Sequence, residues 1–381
     1  MKLKASKFSL QYYTSVHDLP KSWDDLLPTG HYLERLQLAI SESAALPNIT
    51  HVYIQISIQG HAVAAASFQA LRLQSKHLNE ETFKPYQHTL WSLFTAIRKP
   101  VLLVAGHLFR HDVQSYYYDS SMSAFDSFSI YQEAIKLASC RTCASAVLVK
   151  DVDEQMVTYF QHFAPKYFML RNDISMELEI PEAWNAIADY GHALKHKYAQ
   201  RYRKIRQAWQ NVTVAELSTP EVLGRKLELF DLYKQVSLKQ QVRLGFLSPD
   251  YLPMLKEQNG NALKVWAVFE EGKMVAFFSA WVEEQALDMF YIGFDYERNN
   301  ELQLYFNMLF FGLEQAILLS KQKLIMGRTA LDAKARMGCR PRYLNTFLYI
   351  KNGLVRTQVM RMQSNASAGE GEWEQRHPFK K

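Results

Sequence analysis

Two apolar runs rich in β-branched and aromatic residues, Val265–Phe269 and Met274–Val282, are separated only by Glu270-Glu271-Gly272-Lys273. The glycine in so short a link can take positive φ at no steric cost, so this stretch is constrained to be a β-hairpin. A third strand, Leu287–Phe294, follows. The polar Asp295–Asn300 run then opens a helix, Glu301–Ser320, whose Leu302, Tyr305, Phe306, Leu309, Leu313 and Ile317 recur at helical spacing. Lys323–Met326 reads as a short buried strand and Gly327-Arg328-Thr329 as a turn. Ala330–Met337 reads as a short helix bearing Lys334, and Tyr343–Ile350 as a closing strand. A hairpin, strand, helix, strand, helix, strand order is that of an α/β unit with a mixed sheet.

The first half repeats the grammar. Phe8–Tyr13 reads as a strand, and a helical pattern runs from Trp23–Leu27 through Tyr32, Leu33, Leu36, Leu38 and Ile40 to a stop at Pro47. His51–Ile58 and Ala62–Leu73 are apolar runs joined at Gln59-Gly60-His61, a second strand, glycine turn and strand. Beyond the polar and aromatic Lys76–Lys99 come a strand at Pro100–Gly106, a helix at Phe125–Ala138 and a strand at Ala144–Val149. A helix at Glu154–Phe163 and extended segments at Tyr167–Leu170 and Met176–Ile180 complete the half. With 381 residues, 48% of them hydrophobic, the chain can bury two cores. Residues 1–185 and 186–360 are expected as the two domains, and 361–381 as a polar, disordered tail.

The formal charge of +6 is a modest basic excess that suits an anionic ligand without identifying one. It concentrates in Ala193–Gln210, which no glycine or proline interrupts and which reads as one helix. There Lys195, Lys197, Arg201, Arg203, Lys204 and Arg206 alternate with Tyr198, Tyr202, Ile205 and Trp209, giving a basic and an apolar face. Such a helix either joins domains with a solvated basic face or contacts a polyanion, cations meeting phosphates and rings stacking on bases. Further helices are expected at Glu221–Val236, capped by Thr219, and at Ser248–Lys256. Three cysteines cannot staple a chain of this size, no apolar run reaches the length of a membrane span, and the N-terminal residues lack a signal-peptide core; a cytoplasmic setting is expected. Cys140 and Cys143 have no second pair for zinc, and His107 with His111 has no acidic partner nearby, so no metal is expected.

Several stretches carry a resemblance: Met176–Trp184, the basic Lys195–Lys204 segment, Trp266–Phe269, Gly272, Val275–Phe277, Tyr291–Phe294, Gly327-Arg328-Thr329, Lys334 and Gly338. Together they resemble the acetyltransferase-like half of tandem GNAT-fold proteins, a group that includes the FemAB-type aminoacyltransferases of peptidoglycan synthesis. The resemblance implies two GNAT-like domains, each a twisted mixed sheet flanked by helices, and an acyl or aminoacyl donor: acyl-CoA, or alternatively aminoacyl-tRNA bound through the Lys195 to Arg206 helix. The sequence departs from it at the pyrophosphate loop, where Tyr296-Glu297-Arg298-Asn299-Asn300 contains no glycine. A helix N-terminus can still hold phosphate there through its N–H groups, with Arg298, Asn299 and Asn300 as the expected contacts.

Acyl transfer to a small-molecule or peptide amine needs a base, a polarised carbonyl and a proton for the leaving atom. Asp288 and Asp295 are the candidate bases, against plain readings as a strand acid and a helix cap, and Tyr291 is the candidate proton donor, against a plain reading as core. Arg328, Thr329 and Lys334 follow a buried strand, where α/β sheets bind ligands, and would hold a carboxylate or phosphate unless the charges close a structural ion pair. A non-catalytic binding module is the reading left if the glycine-poor loop binds no donor.

Overall fold

The computed structural model describes residues 8–43, 48–77, 92–93, 95–110, 113–170, 173–240, 246–366 and 373–380. Pro47, His111 and much of Lys76–Lys99 lie outside the described residues. The chain forms two compact α/β units, one from the chain up to Asp173 with a short stretch ending at Leu247 and the stretch beginning at Leu344, the other from Ile174 to Tyr343 apart from that short stretch, with the C-terminal residues.

The first unit is a mixed sheet of β1 (Phe8–Tyr13), β2 (Ile49–Ile58), β3 (His61–Arg72), β4 (Val101–Ala105), β6 (Ala146–Val149), β15 (Thr346–Ile350) and β7 (Phe168–Leu170) in that spatial order, with β5 (Tyr116–Tyr118) beside β3. The second orders β9 (Val212–Glu216), β10 (Leu263–Glu270), β11 (Lys273–Val282), β12 (Ala286–Phe294), β13 (Lys323–Gly327), β8 (Ile174–Glu179) and β14 (Arg340–Tyr343). The two orders correspond position by position. In each, an antiparallel hairpin leads to one parallel pair, β4 with β6 and β12 with β13, and the last two strands run antiparallel. Both hairpins close through two-residue loops in which each residue has positive φ, Gln59-Gly60 and Glu271-Gly272, the backbone that matches strand twist.

Two strands correct the expected boundaries at 185 and 360. Met176–Ile180, expected to finish the first half, is β8 and pairs with β13 and β14 of the second sheet. The expected closing strand Tyr343–Ile350 is β15 from Thr346 on, and it does not close the second sheet: it inserts between β6 and β7 of the first, while β14 ends at Tyr343. Each sheet therefore takes its penultimate strand from across the sequence boundary. A strand's periodicity fixes its faces but not its partner, so the exchange leaves no local mark.

Two helices are broken where continuous ones are expected, and a third starts later than expected. The central one is Tyr296–Leu302 followed by Leu304–Leu318, with Gln303 left-handed at φ 48°. Asn299 Oδ1 accepts the Tyr305 N–H at 3.0 Å and Gln303 Nε2 donates to the Asn300 carbonyl at 2.8 Å, so side chains take over hydrogen bonding at the break. The basic helix expected over Ala193–Gln210 is one helix, His196–Gln207, separated by a break at Leu194-Lys195 from the Ile187–Ala193 helix before it. At that break the C-terminal residues run alongside: Lys195 N–H donates to Pro378 O at 2.8 Å and Lys380 N–H to Ala193 O at 2.9 Å. Glu221–Val236 is Thr219–Gly224 and Lys226–Leu238, and the cap is Ser218, in a capping box with Glu221, rather than Thr219.

The expected disordered tail is corrected too, for residues 373–380. Trp373 and Phe379 pack against the second core, and Phe379 fills the space a side chain at Gly338 would need, an added Cβ there lying 2.3 Å from the Phe379 ring. Gly338 also has φ 105°, so two separate constraints favour glycine.

Candidate active site

In the second sheet, β12 pairs with β13 only over Ala286–Asp288 against Lys323–Ile325, whereas it pairs with β11 along its whole length to Phe294. Beyond Asp288 no strand among the described residues lies on the β13 side of β12, and the two parallel strands open into a wedge at their C-terminal ends. That is where α/β sheets place ligands. A bulge sits at the mouth: Phe278 faces Ile292 but Ala280 faces Met289, so Phe290 and Tyr291 both oppose Ser279. Ser279 holds it, its Oγ accepting the Tyr291 N–H at 3.0 Å.

Asp288 is buried at the closed end of the wedge, across from Trp281 and beside Ile325. Tyr291 is half-buried, its ring edge-on to Tyr233 at 5.3 Å and Tyr251 at 6.1 Å. Asp295 is the helix cap of the plainer reading: Oδ1 accepts the Glu297 N–H at 3.0 Å, and Lys273 Nζ stands 3.8 Å from Oδ2. A carboxylate so engaged holds the Tyr296–Leu302 helix at the end of β12.

Arg298 is tied down. Its Nε donates to Glu270 Oε2 at 2.9 Å and Nη1 to Glu301 Oε2 at 2.8 Å, and the hydrogen bond to Glu270 raises its already high pKa. Asn299 and Asn300 serve the helix break through the side-chain oxygen and the carbonyl described above. On β13's side, Arg328 is partly buried, and Thr329 is exposed ahead of Ala330, which is left-handed at φ 53°. Lys334 is not offered to a ligand: it is 3% exposed and its ammonium donates to the Gly327 carbonyl at 3.2 Å.

Burial lowers the Lys334 pKa from 10.5 to about 8, and burial raises that of nearby Cys339 from 9.0 to about 12. Between about 8 and 10.5 the unfolded chain binds a proton at Lys334 that the folded chain does not, so this group makes stability rise with pH there. Above 9.0 the folded chain keeps the Cys339 proton that the unfolded chain releases, so that group makes stability fall. Wild-type stability is therefore expected to rise from pH 8 to 9, level off and then decline. Lys334→Met should abolish the rise and gain about 1–3 kcal/mol at neutral pH, the relief of a desolvated charge less one hydrogen bond. Urea titrations at pH 7, 8 and 9 check this; a less stable variant with the same pH slope contradicts it.

The tyrosine pair Tyr233 and Tyr251 and the bulge-holding Ser279 are contributors that the sequence reading missed. Gly293, two residues past the bulge, was the available signal, because a glycine inside a strand marks a bulge or a close backbone approach. In the first unit His107 belongs to a buried network. Its Nδ1 accepts the Phe109 N–H at 3.0 Å, and its Nε2 and that of His51 each lie 3.3 Å from Ser41 Oγ. Burial lowers the His51 pKa to about 4 and that of His107 well below the usual range, so both rings stay neutral. Among the described residues no three His, Cys, Asp or Glu side chains converge as a metal site, and no helix is long and apolar enough to cross a membrane.

No family model and no curated protein matches the sequence. Solved structures do. FemX shares 9% identity at TM-score 0.49, over 84% of this chain and 92% of its own. A tandem GNAT protein from the clavulanic acid biosynthesis pathway shares 9% at TM-score 0.49, over 90% of this chain and 99% of its own. L-PGS from Bacillus licheniformis shares 12% at TM-score 0.47, over 88% of this chain and 97% of its own. What those three proteins bind or transfer is theirs.

Proposed function

We propose that the second unit is an N-acyltransferase site in which an acyl-CoA donor enters the wedge between β12 and β13 and an amine acceptor attacks its carbonyl carbon. The observation that carries this reading is the opening of the parallel pair after Asp288. An extended donor arm can lie along β12 as an added strand would, drawing on main-chain hydrogen bonds. Backbone N–H groups along β12 polarise the carbonyl, the new C–N bond forms as the C–S bond breaks, the amine proton passes to a base, and the thiolate takes a proton in return. Asp288 is the base in this reading and Tyr291 the proton donor. Arg328 and Thr329 flank the β13 side, and Lys334 braces the turn that holds them.

Aminoacyl-tRNA is the second reading, and one observation favours it. Lys197, Arg203 and Lys204 are exposed along the His196–Gln207 helix and form no ion pair among the described residues. Tyr202, Ile205 and Trp209 pack against the core, so the apolar face is structural while the basic face stays open. A polyanion bound there releases counterions at each neutralised phosphate, which makes affinity fall steeply with salt.

Thermal shift and transfer assays separate the two. An acyl-CoA at about 100 times its Kd should stabilise the fold by about 2.7 kcal/mol, and charge reversal of Lys197 with Lys204 should leave that gain intact. Asp288→Asn and Tyr291→Phe should each lower turnover by roughly 10²-fold or more while the donor still binds. Tight tRNA binding with a steep salt slope, and no stabilisation by any acyl-CoA, would replace the first reading with the second.

A further inference from the structure

In the first unit four polar side chains from four separate places meet in the interior: Ser41 on the Arg35–Ser43 helix, His51 on β2, Gln69 on β3 and His107 just after β4. Two main-chain donors fix where their protons lie. The Leu108 N–H donates to Gln69 Oε1 at 2.8 Å, so the other end of that amide is its NH2 group, 3.1 Å from Ser41 Oγ and 3.2 Å from His51 Nε2. The Phe109 N–H donates to His107 Nδ1, which puts the proton of the neutral ring on Nε2, facing Ser41 Oγ. Ser41 Oγ thus accepts from Gln69 and from His107, leaving its own hydrogen for His51 Nε2 at 3.3 Å or for the Tyr32 hydroxyl oxygen. All of these hydrogen bonds are made with both rings neutral.

A proton added to either ring breaks this arrangement. On His51 Nε2 it would point at the Gln69 NH2 group, and on His107 Nδ1 at the Phe109 N–H, so each sets donor against donor and leaves a charge in the interior. Glu42 favours a charged His51, but its Oε2 already accepts from the Val16 N–H at 2.8 Å and the Tyr53 hydroxyl at 3.0 Å. Around His107 stand the positive charges of Arg110 and Lys150, which oppose a further one. The Lys150 ammonium donates to the carbonyls of His107 and Arg110, and Asp151 lies 3.8 Å from it. Tyr32 is edge-on to His107, and the Tyr53 ring stacks alongside His51.

We propose that this cluster is an acid-sensitive latch, which holds the Arg35–Ser43 helix and residues 107–110 on the first sheet and releases them when His51 and His107 take up protons. A histidine freed from the cluster titrates near 6.5, whereas the closed rings titrate well below it, so the open form binds more protons as pH falls. The latch is therefore fully closed above about pH 6.5, and below it each ring makes opening up to about tenfold more favourable per pH unit. The described histidines of the second unit, His192, His196 and His377, are exposed, so the same response is not built into that unit.

Hydrogen exchange read by mass spectrometry on the full chain, corrected for the intrinsic pH dependence of amide exchange, tests this. In peptides from the Arg35–Ser43 helix the opening constant should rise by about tenfold or more between pH 6 and pH 5, while that of the Leu304–Leu318 helix stays flat. His51→Gln keeps an acceptor for Gln69, and His107→Asn keeps one for the Phe109 N–H. Each should reduce the rise by about tenfold, a change of slope that a residue needed only for packing would not produce. Should a variant fail to fold, NMR of the wild-type chain labelled with 13C at histidine Cε1 decides, because both rings should stay neutral in the closed form down to pH 5. Either ring titrating near 6.5 in the folded chain overturns the proposal. So does an opening constant that does not rise with acid, or one that rises equally in wild type and both variants.

Discussion

A chain divided between residues 185 and 186 is expected to give two pieces, neither of which folds alone. The amino-terminal piece lacks β15, the strand that pairs Phe347 with Val149 on one side and with Met169 on the other, so β7 loses its strand partner and the edge of β6 is left open. It keeps β8, whose Ile174, Met176 and Leu178 then have no core to enter. The carboxyl-terminal piece has the reciprocal defect, because β14 pairs with β8 and β13 depends on β8 for one edge. Burying three such side chains is worth about 1.5–3 kcal/mol each, and the whole net stability of a domain is about 5–15 kcal/mol. Losing a paired strand along with that burial should therefore exceed what either unit can spare. Far-UV circular dichroism and urea melts of each piece check the expectation, and co-expression of the two should restore a folded complex as both strands return to their sheets. A cooperative unfolding transition from either piece by itself would show that the exchanged strands are dispensable.

What the sequence made legible follows from the range over which each signal acts. The hairpins at Gly60 and Gly272 were readable because a two-residue loop with positive φ needs only its own residues. Asp295 was readable as a cap for the same reason, and its alternative role as a base is the one its hydrogen bond to Glu297 disfavours. The destinations of β8 and β15 were not readable, since both carry ordinary strand patterns and the choice of sheet is made by residues far away in the chain. The break at Gln303 depends on what Asn299 and Asn300 do locally, yet the apolar spacing from Leu302 to Ile317 runs through it without interruption and hid it. Lys334 attracted a ligand role by its place after a strand, and only the packing shows its ammonium turned onto Gly327.

Gly293→Ala is expected to damage the second unit severely, although glycine there has no unusual φ. The Lys226–Leu238 helix crosses β12 so closely that a Cβ at position 293 would lie 2.5 Å from the Tyr233 nitrogen, 2.6 Å from the Leu232 carbonyl carbon and in contact with the Phe277 ring. Two of those three neighbours are backbone atoms of a helix and cannot rotate away, so either the helix lifts from the sheet or β12 bends. Overpacking of this kind costs about 1–3 kcal/mol where side chains can adjust, and about 3 kcal/mol or more is expected where the obstacle is main chain. The same displacement reaches the wedge, because Tyr291 rests edge-on against Tyr233 of the helix that must move. Activity should therefore fall even in the fraction of protein that stays folded, and donor stabilisation should shrink with it. Gly224→Ala is the matched control: the space around it is open and it ends the Thr219–Gly224 helix, so alanine there should be neutral to within about 1 kcal/mol. Thermal melts of the two variants, read beside the transfer assay, distinguish a close-packing requirement at β12 from a general intolerance of added methyl groups. Equal melting temperatures for both would mean that the helix does not press on Gly293 as its position implies.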